Sequence, residues 1–127
     1  MTALREWGHD VYDFKNPKPQ TGFAWLQIDP DWQTWSNKEY LAALEHPRAL
    51  QGYVSDMEAL CTSDACVLVL PCGRSAHLEL GYAVGSGSMR TAILLSPDHP
   101  TEPELMYKMV DWIGEDLNAL RAKLSPA

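Results

Sequence analysis

Three apolar runs in the second half of the chain predict the strands of a sheet. ACVLVLP at 65–71 is continuous and rich in β-branched residues, and RTAILL at 90–95 and VDWIG at 110–114 follow it. Strands that are covered on both faces of a parallel sheet have this composition, because few of their side chains meet water. We predict that the first of these runs is the central strand.

Helical patterns separate the strands. Ser36 and Glu39 have the spacing of a capping box, which predicts a helix that begins near Lys38 and stops before Pro47. Further helices are expected at about 48–60, 75–84, 103–109 and 115–124. Strands that alternate with helices indicate an α/β layered domain with a parallel sheet, and we expect residues 1–127 to form a single domain.

The first part of the chain carries weaker signals. TALREW at 2–7, followed by Gly8, is typical of the last turns of a helix with a glycine cap, and DVYDF at 10–14 alternates like a strand. Residues 15–37 combine prolines with three tryptophans. This composition is too rich in proline for regular structure and too aromatic for a solvated linker, so it predicts an ordered covering loop with short helical turns.

The charge balance bears on the possible partners. The chain has 10 basic and 17 acidic residues, for a net charge of −7, and no cluster of Lys or Arg interrupts this balance. Polymeric nucleic acids and anionic membranes attract proteins through such clusters, so we expect neither as a partner. No apolar run approaches the roughly 20 residues that span a bilayer, and the first residues lack the apolar segment of an export signal. These features predict a cytoplasmic protein.

The cysteines and histidines do not predict a metal site. Cys61, Cys66 and Cys72 are separated by four and five residues, without the Cys-x-x-Cys pairs of zinc and redox proteins. His77 and Glu79 match the His-x-Glu of zinc deaminases, but that motif needs a Pro-Cys-x-x-Cys downstream, and the Pro-Cys of this chain lies upstream. We therefore expect reduced cysteines, no metal and no cofactor, and a cysteine-dependent redox protein is disfavoured.

One acidic residue lies in the helix that follows the first apolar run. Ligands of parallel α/β sheets bind at the carboxyl ends of the strands, and Glu79 lies about one turn into the helix that starts there. Its side chain tilts back toward that edge, and Ser75 lies on the same helical face. A carboxylate near a helix N-terminus is also an ordinary stabilising feature. Function is favoured because Glu79 lies between two leucines, in a segment whose small residues let a ligand approach.

These residues belong to a longer pattern. DACVLVLPCGRSAHLELGYAVG at 64–85 resembles the signature of the nucleoside 2-deoxyribosyltransferase superfamily, which includes nucleoside 5′-monophosphate N-glycosidases. DVYDFKNP, GFAWLQIDPDWQTW and PELMYKM resemble a bacterial and phage branch of it, so the resemblance covers nearly the whole chain. It implies a three-layer, flavodoxin- or Rossmann-like parallel sheet flanked by helices.

The resemblance implies that Glu79 is the catalytic residue. In the family, this carboxylate attacks C1′ of the sugar, or stabilises positive charge there, while the base departs and the sugar passes to water or to another base. The substrate would be a nucleoside or nucleoside 5′-monophosphate, with no cofactor. The candidate substrate-binding residues are Asp64, Gly73, Ser75, His77, Asp13, Phe14, Asn16 and Trp25.

Several of these candidates have a structural alternative. Asp64 is equally a cap at the start of the strand, and His77 equally an outward-facing side chain. Trp25 or Trp32 could stack on a base, but a tryptophan in a loop is more often its hydrophobic anchor. Family members usually assemble as dimers or larger, with a neighbour closing each pocket, so the resemblance also implies a homo-oligomer.

Two features depart from the family pattern. Relatives begin with a further strand and loop before a helix, whereas this sequence starts inside that helix, so the fold is expected to be N-terminally abbreviated. In the usual strand order, 2-1-3-4-5, the absent strand lies between the runs at 10–14 and 65–71. Either translation begins upstream of Met1, or the two flanking strands pair directly or with another subunit. The alternative function is a nucleotide-binding or structural module that retains the fold without turnover.

The second departure concerns the reaction type. Gly73 occupies a position where the transferases carry an acid ahead of the glutamate. This difference favours hydrolysis over transfer between bases.

Overall fold

The computed structural model describes residues 2–13 and 22–125. The predicted site residues Phe14 and Asn16, and the first part of the loop predicted at 15–37, lie outside the described residues. The chain forms two compact units, Met1–Cys61 and Thr62–Ala127.

The regular structure described in the first unit is helical. Helix α1 spans Thr2–Glu6, α2 spans Asn37–Leu44 and α3 spans Pro47–Thr62. The chain turns after α1 at Gly8, whose φ of 92° favours glycine because other residues are strained there. The predicted helix end in this segment is confirmed.

The predicted start of α2 is also confirmed. Ser36 Oγ accepts a hydrogen bond from the Glu39 amide at 3.2 Å, and the Glu39 carboxylate accepts one from the Ser36 amide at 3.1 Å. Each side chain thus satisfies a backbone donor that the helix leaves unpaired. Pro47 opens α3, where its missing N–H has no cost.

An aromatic cluster precedes α2. The chain forms 3-10 turns at Trp25–Gln27 and Trp32–Thr34, as predicted for this loop. The Trp25 ring meets the rings of Phe23, Trp35 and Tyr40 edge to face, with centroids 4.9, 5.9 and 5.9 Å away. Such pairs add to the apolar burial of each ring, so the cluster anchors this segment.

The strand predicted at 10–14 is wrong for residues 10–13, which form no regular structure. The Tyr12 hydroxyl lies 3.0 Å from Ser55 Oγ and donates to an Asp56 carboxylate oxygen at 3.0 Å, both on α3. Alternating polarity predicts a strand only where a partner strand supplies a ladder of hydrogen bonds. Here the segment is held by contacts with a helix instead.

The second unit contains the sheet. Its strands are β1, Ala65–Val69; β2, Arg90–Leu94; and β3, Trp112–Gly114. Helix α4 spans Arg74–Ser86 between β1 and β2, and α5 spans Leu117–Leu124 after β3. All neighbouring strands are parallel, in the order β1-β2-β3. The predicted α/β class, with a parallel sheet flanked by helices, is confirmed.

The core of this unit lies between α4 and the sheet. Leu68 of β1 pairs in register with Ile93 of β2, and Leu80 of α4 packs with both of them. Ile93 is fully buried, and Leu68 and Leu80 are nearly so. This contact fixes which side of α4 faces the strands.

The prediction that β1 is the central strand is wrong within the described residues. β1 pairs with β2 alone and lies at the edge, whereas β2 has a neighbour on both sides. Burial follows this order: Thr91, Ala92 and Ile93 are all buried in β2, but only Leu68 is buried in β1, and Val69 is 40% exposed. An apolar run indicates a strand but does not show how many strands lie beside it in the sheet.

The helix predicted at 103–109 is a 3-10 turn at Leu105–Met109. Glu104 is its N-cap and accepts a hydrogen bond from the Met106 amide at 2.7 Å. The helix therefore starts two residues later than Pro103 suggested, because the side chain of Glu104 supplies the cap.

Within residues 2–13 and 22–125, no helix combines the length and apolar character needed to cross a membrane.

Candidate functional site

Helix α4 begins at the carboxyl end of β1. The chain leaves β1 after Val69, passes a cis peptide between Leu70 and Pro71, and enters α4 with Gly73 as N-cap. A Cβ added to Gly73 would meet no described atom within 4 Å beyond its chain neighbours. Open space therefore adjoins the start of α4, at the sheet edge where α/β ligands bind.

Glu79 is the sixth residue of α4. At about 1.5 Å per residue, its Cα lies about 7.5 Å along the helix from the first helical residue. Glu79 is therefore past the first turn of α4, where an acid would be stabilised by the helix N-terminus. It is half-buried. Leu80 on one side is buried, but Leu78 on the other is 76% exposed. Glu79 thus lies at the boundary between the packed face of α4 and solvent.

The Glu79 carboxylate acts on a thiol of the sheet. Burial, and to a smaller extent the negative charge of Glu79, raise the pKa of the Cys66 thiol to about 11. Cys66 is half-buried and packs against the core formed by Leu68, Leu80 and Ile93. The negative charge of Glu79 therefore acts on a residue of β1, the edge strand.

The candidate residues on α4 divide between two sides of the helix. At about 100° per residue, Ser75 and Glu79 are about 40° apart and share one side, as predicted. His77 and Glu79 are about 200° apart, which places them on opposite flanks. Ser75 is exposed and Glu79 is half-buried, with the β1 thiol nearby. The structure therefore brings Ser75 and Glu79 together and separates His77 from them.

His77 has partners of its own. Its Nδ1 lies 2.8 Å from the carbonyl oxygen of Gly73, and its Nε2 lies 2.7 Å from the Tyr107 hydroxyl. The rings of His77 and Tyr107 are also stacked, with centroids 5.6 Å apart and planes at 21°. A carbonyl oxygen can only accept, so the Nδ1 atom carries the proton and Tyr107 donates to Nε2 when the ring is neutral. The alternative of an outward-facing His77 is wrong.

The third partner of His77 is a thiol. Cys72 Sγ lies 3.8 Å from His77 Nδ1. Partial burial raises the pKa of the Tyr107 phenol, and the charges of Cys72, Glu104 and Glu102 raise it further. Cys72, His77 and Tyr107 therefore form one electrostatic cluster beside the start of α4.

Asp64 lies at the opposite end of β1 from this cluster. It directly precedes Ala65, and its carbonyl accepts a hydrogen bond from the Arg90 amide at 3.0 Å. Five strand residues at about 3.3 Å each separate it from the carboxyl edge by about 16 Å. The side chain is exposed.

The remaining described candidates belong to the first unit. Asp13 is half-buried. Trp25 is also half-buried and belongs to the aromatic cluster with Phe23, Trp35 and Tyr40. The ring of Trp25 thus has a packing role in its own unit, which is the structural alternative considered above for this residue.

The sequence did not single out Cys72 or Tyr107 as site residues. Thirty positions separate Tyr107 from His77, and no local pattern links residues at such a distance. Position gave a signal for Cys72 alone, which follows the carboxyl end of β1, where α/β sites are built.

The described residues contain no group of three or more His, Cys, Asp or Glu side chains that could hold a metal ion. Comparison of the chain with protein families, curated proteins and solved structures found no match.

Proposed function

We propose that this protein cleaves the N-glycosidic bond of a deoxynucleoside or nucleoside 5′-monophosphate, with Glu79 as the nucleophile. The observation that carries the proposal is a half-buried carboxylate on the strand-facing flank of α4, close enough to β1 to raise the pKa of Cys66. The resemblance of residues 64–85 to the nucleoside 2-deoxyribosyltransferase signature supports the same residue.

The chemistry follows that of retaining glycoside hydrolysis. The Glu79 carboxylate forms a bond to C1′ as the bond from C1′ to the base nitrogen breaks, and the base leaves with the electron pair and takes a proton from solvent. Water then attacks C1′ and releases the carboxylate. The transition state resembles an oxocarbenium ion, so a fixed anion on one face of the sugar stabilises it. Ser75 is exposed and lies on the same side of α4 as Glu79, so this side of the helix start is open to a sugar.

The first test is release of free base. The protein is incubated with a panel of deoxynucleosides and their 5′-monophosphates, and the products are separated by chromatography. Glu79→Gln, which keeps the size and removes the charge, should lower release by at least about 10³-fold. Glu115→Gln is the matched control, because Glu115 is exposed and lies outside α4. Release that survives in Glu79→Gln contradicts the proposal. Saturable nucleotide binding without any release would indicate the non-catalytic module.

The second test separates hydrolysis from transfer. A free second base is added to the reaction, and formation of a new nucleoside is measured. Because Gly73 replaces an acid of the transferases, we propose that water is the preferred acceptor. A new nucleoside formed faster than free sugar would overturn this part of the proposal.

The resemblance also supports a homo-oligomer in which a neighbour closes each pocket. Light scattering should then give at least twice the chain mass of 14.2 kDa. A monomer that still releases base would show that the pocket does not need a second copy.

A further inference from the structure

Outside the proposed glycosidic site, one cluster places a thiol beside a histidine N–H donor. Cys72, His77 and Tyr107 lie on the flank of α4 opposite Glu79, so the proposed reaction does not use them. We infer that Cys72 is a reactive thiolate site, stabilised by His77 Nδ1–H, that exchanges with small disulfides.

The proton on His77 decides what the cluster can do. The Gly73 carbonyl, 2.8 Å from Nδ1, holds a proton on that nitrogen in both the neutral and the charged ring. His77 Nδ1 also lies 3.8 Å from Cys72 Sγ, so its one hydrogen can be shared between the Gly73 carbonyl and a thiolate in a three-centre bond. A neutral thiol gains much less from this donor, so the contact favours the ionised form.

Tyr107 positions the imidazole. Its hydroxyl, 2.7 Å from Nε2, and its stacked ring hold the plane of His77 so that Nδ1 stays directed at both Gly73 and Cys72. The Tyr107 oxygen can also accept a hydrogen bond from an Nε2–H group. The cluster therefore accommodates an imidazolium beside the thiolate without moving either ring.

Other charges around the thiol act in both directions. The backbone N–H groups at the start of α4 favour an anion, because Cys72 directly precedes the N-cap of this 13-residue helix. Glu102 and Glu104 face Tyr107 from the segment before β3 and disfavour a second negative charge. The His77 donor lies 3.8 Å from the sulfur itself, whereas the charges of Glu102 and Glu104 act on Tyr107, so we expect the donor and the helix N-terminus to dominate.

The exchange step balances without a further reactant. The Cys72 thiolate attacks one sulfur of the small disulfide, a new S–S bond forms, the original S–S bond breaks, and the second sulfur leaves as a thiolate. The disulfide is the oxidant and Cys72 is oxidised to a mixed disulfide. The thiol proton is lost to solvent before the attack.

The three cysteines of the chain allow an internal comparison. All three are thiols; Cys61 is exposed, Cys66 and Cys72 are half-buried, and the pKa of Cys66 is raised to about 11. The native protein is treated briefly with iodoacetamide from pH 5.5 to 9.5, and alkylation of each cysteine is measured by peptide mass spectrometry. Oxidised glutathione then replaces iodoacetamide to test exchange.

We expect Cys72 to be the most reactive cysteine at pH 6.5. The thiolate is the attacking form, so a thiol kept ionised by the His77 N–H and by the start of α4 should react faster than Cys61 at this pH. The alkylation rate at Cys72 should level off at a lower pH than the rate at Cys61, and glutathione should be found mainly on Cys72. A Cys72 rate below that of Cys61 at pH 6.5, still rising at pH 9, would overturn the inference.

Substitutions of His77 test the assigned donor. His77→Leu should lower the Cys72 rate at pH 6.5 by at least fivefold, and His77→Asn, which places an N–H near the Nδ1 position, should retain part of it. His99→Leu is the control, because His99 is exposed and lies in another loop. An unchanged rate in a folded His77→Leu protein contradicts the role of His77. If His77→Leu does not fold, the wild-type pH profile of Cys72 alkylation alone tests the inference. Both measurements report on the thiol and are independent of base release by Glu79.

Discussion

Thr91 and Asp111 exchange hydrogen bonds in both directions between β2 and the start of β3. The Thr91 amide and hydroxyl donate to Asp111 Oδ2 at 2.9 and 3.3 Å, and the Asp111 amide donates to the hydroxyl and to the carbonyl of Thr91 at 3.1 Å each. Thr91 is a buried polar residue in the middle strand, with 3% of its surface exposed. The pair therefore joins β2 to the residue that directly precedes β3.

Replacing Thr91 with Val should therefore destabilise the fold. The change keeps the shape but removes the hydroxyl, which leaves Asp111 Oδ2 and the Asp111 amide with one bond fewer each. A cost of about 1–2 kcal/mol in the free energy of unfolding is expected. Urea denaturation measures it, with Thr101→Val in the following loop as the control, for which the change should stay within about 0.5 kcal/mol. Equal stability of Thr91→Val and wild type would mean that the hydroxyl contributes nothing.

The Thr91–Asp111 pair also marks the limit of sequence-based prediction for this fold. Ser36 and Glu39 are three residues apart, so their capping box is visible as a local pattern, and the structure confirms it. Thr91 and Asp111 are twenty residues apart and are joined only once β2 and β3 are in register. The same reason explains the error over β1: an apolar run reveals burial, whereas centrality depends on strands elsewhere in the chain.

The raised pKa of Cys66 leads us to expect a loss of stability at alkaline pH. The folded chain keeps the thiol proton up to a pKa of about 11, and the unfolded chain releases it near pH 9. Between these values the folded state binds more protons, so stability is fully present below about pH 9 and falls as the pH rises toward 11, by at most about 1.4 kcal/mol per unit. Wild type should lose more stability than Cys66→Ala between pH 8.5 and 10.5 in urea denaturation. Cys61→Ala, at an exposed cysteine, is the control and should track wild type.

The link between Glu79 and Cys66 can be measured without any substrate. Removing the charge in Glu79→Gln takes away the smaller of the two causes that raise the pKa of Cys66, so its alkylation should begin at lower pH. The midpoint should shift down but stay above that of an ordinary thiol, because burial remains. Glu115→Gln should leave the profile in place. If wild type, Glu79→Gln and Glu115→Gln gave the same pH profile of Cys66 alkylation, Glu79 would be too far from the sheet for the glycosidic proposal.

Sequence reasoning anticipated the candidate site only in part. Ser75 and Glu79 could be assigned to one side of a helix because helical periodicity is local, and the structure agrees. The same periodicity puts His77 on the other flank, although family resemblance grouped it with Glu79. Its contact with Tyr107 could not be predicted, since the 3-10 turn that carries Tyr107 reaches α4 only through tertiary packing.

The capping box of α2 gives a local stability prediction. Ser36→Ala removes the oxygen that accepts from the Glu39 amide and should cost about 1 kcal/mol in the free energy of unfolding. Glu39→Gln keeps an oxygen able to accept from the Ser36 amide and should cost much less. Helical circular dichroism followed through urea denaturation compares the two. A larger loss for Glu39→Gln than for Ser36→Ala would show that charge at the start of α2, and not the cap, is the stabilising feature.

A glycine within α4 and the glycine that caps it should respond to the same substitution in opposite directions. Gly81 lies in the middle of the helix, and an added Cβ would meet no described atom within 4 Å, so Gly81→Ala should stabilise the protein by about 0.5–1 kcal/mol through a smaller entropy loss on folding. Gly87 ends the helix with φ at 72°, where an alanine is strained, so Gly87→Ala should destabilise it by about 1 kcal/mol. Urea denaturation of both variants decides the signs. A destabilising Gly81→Ala would contradict the open space at this position.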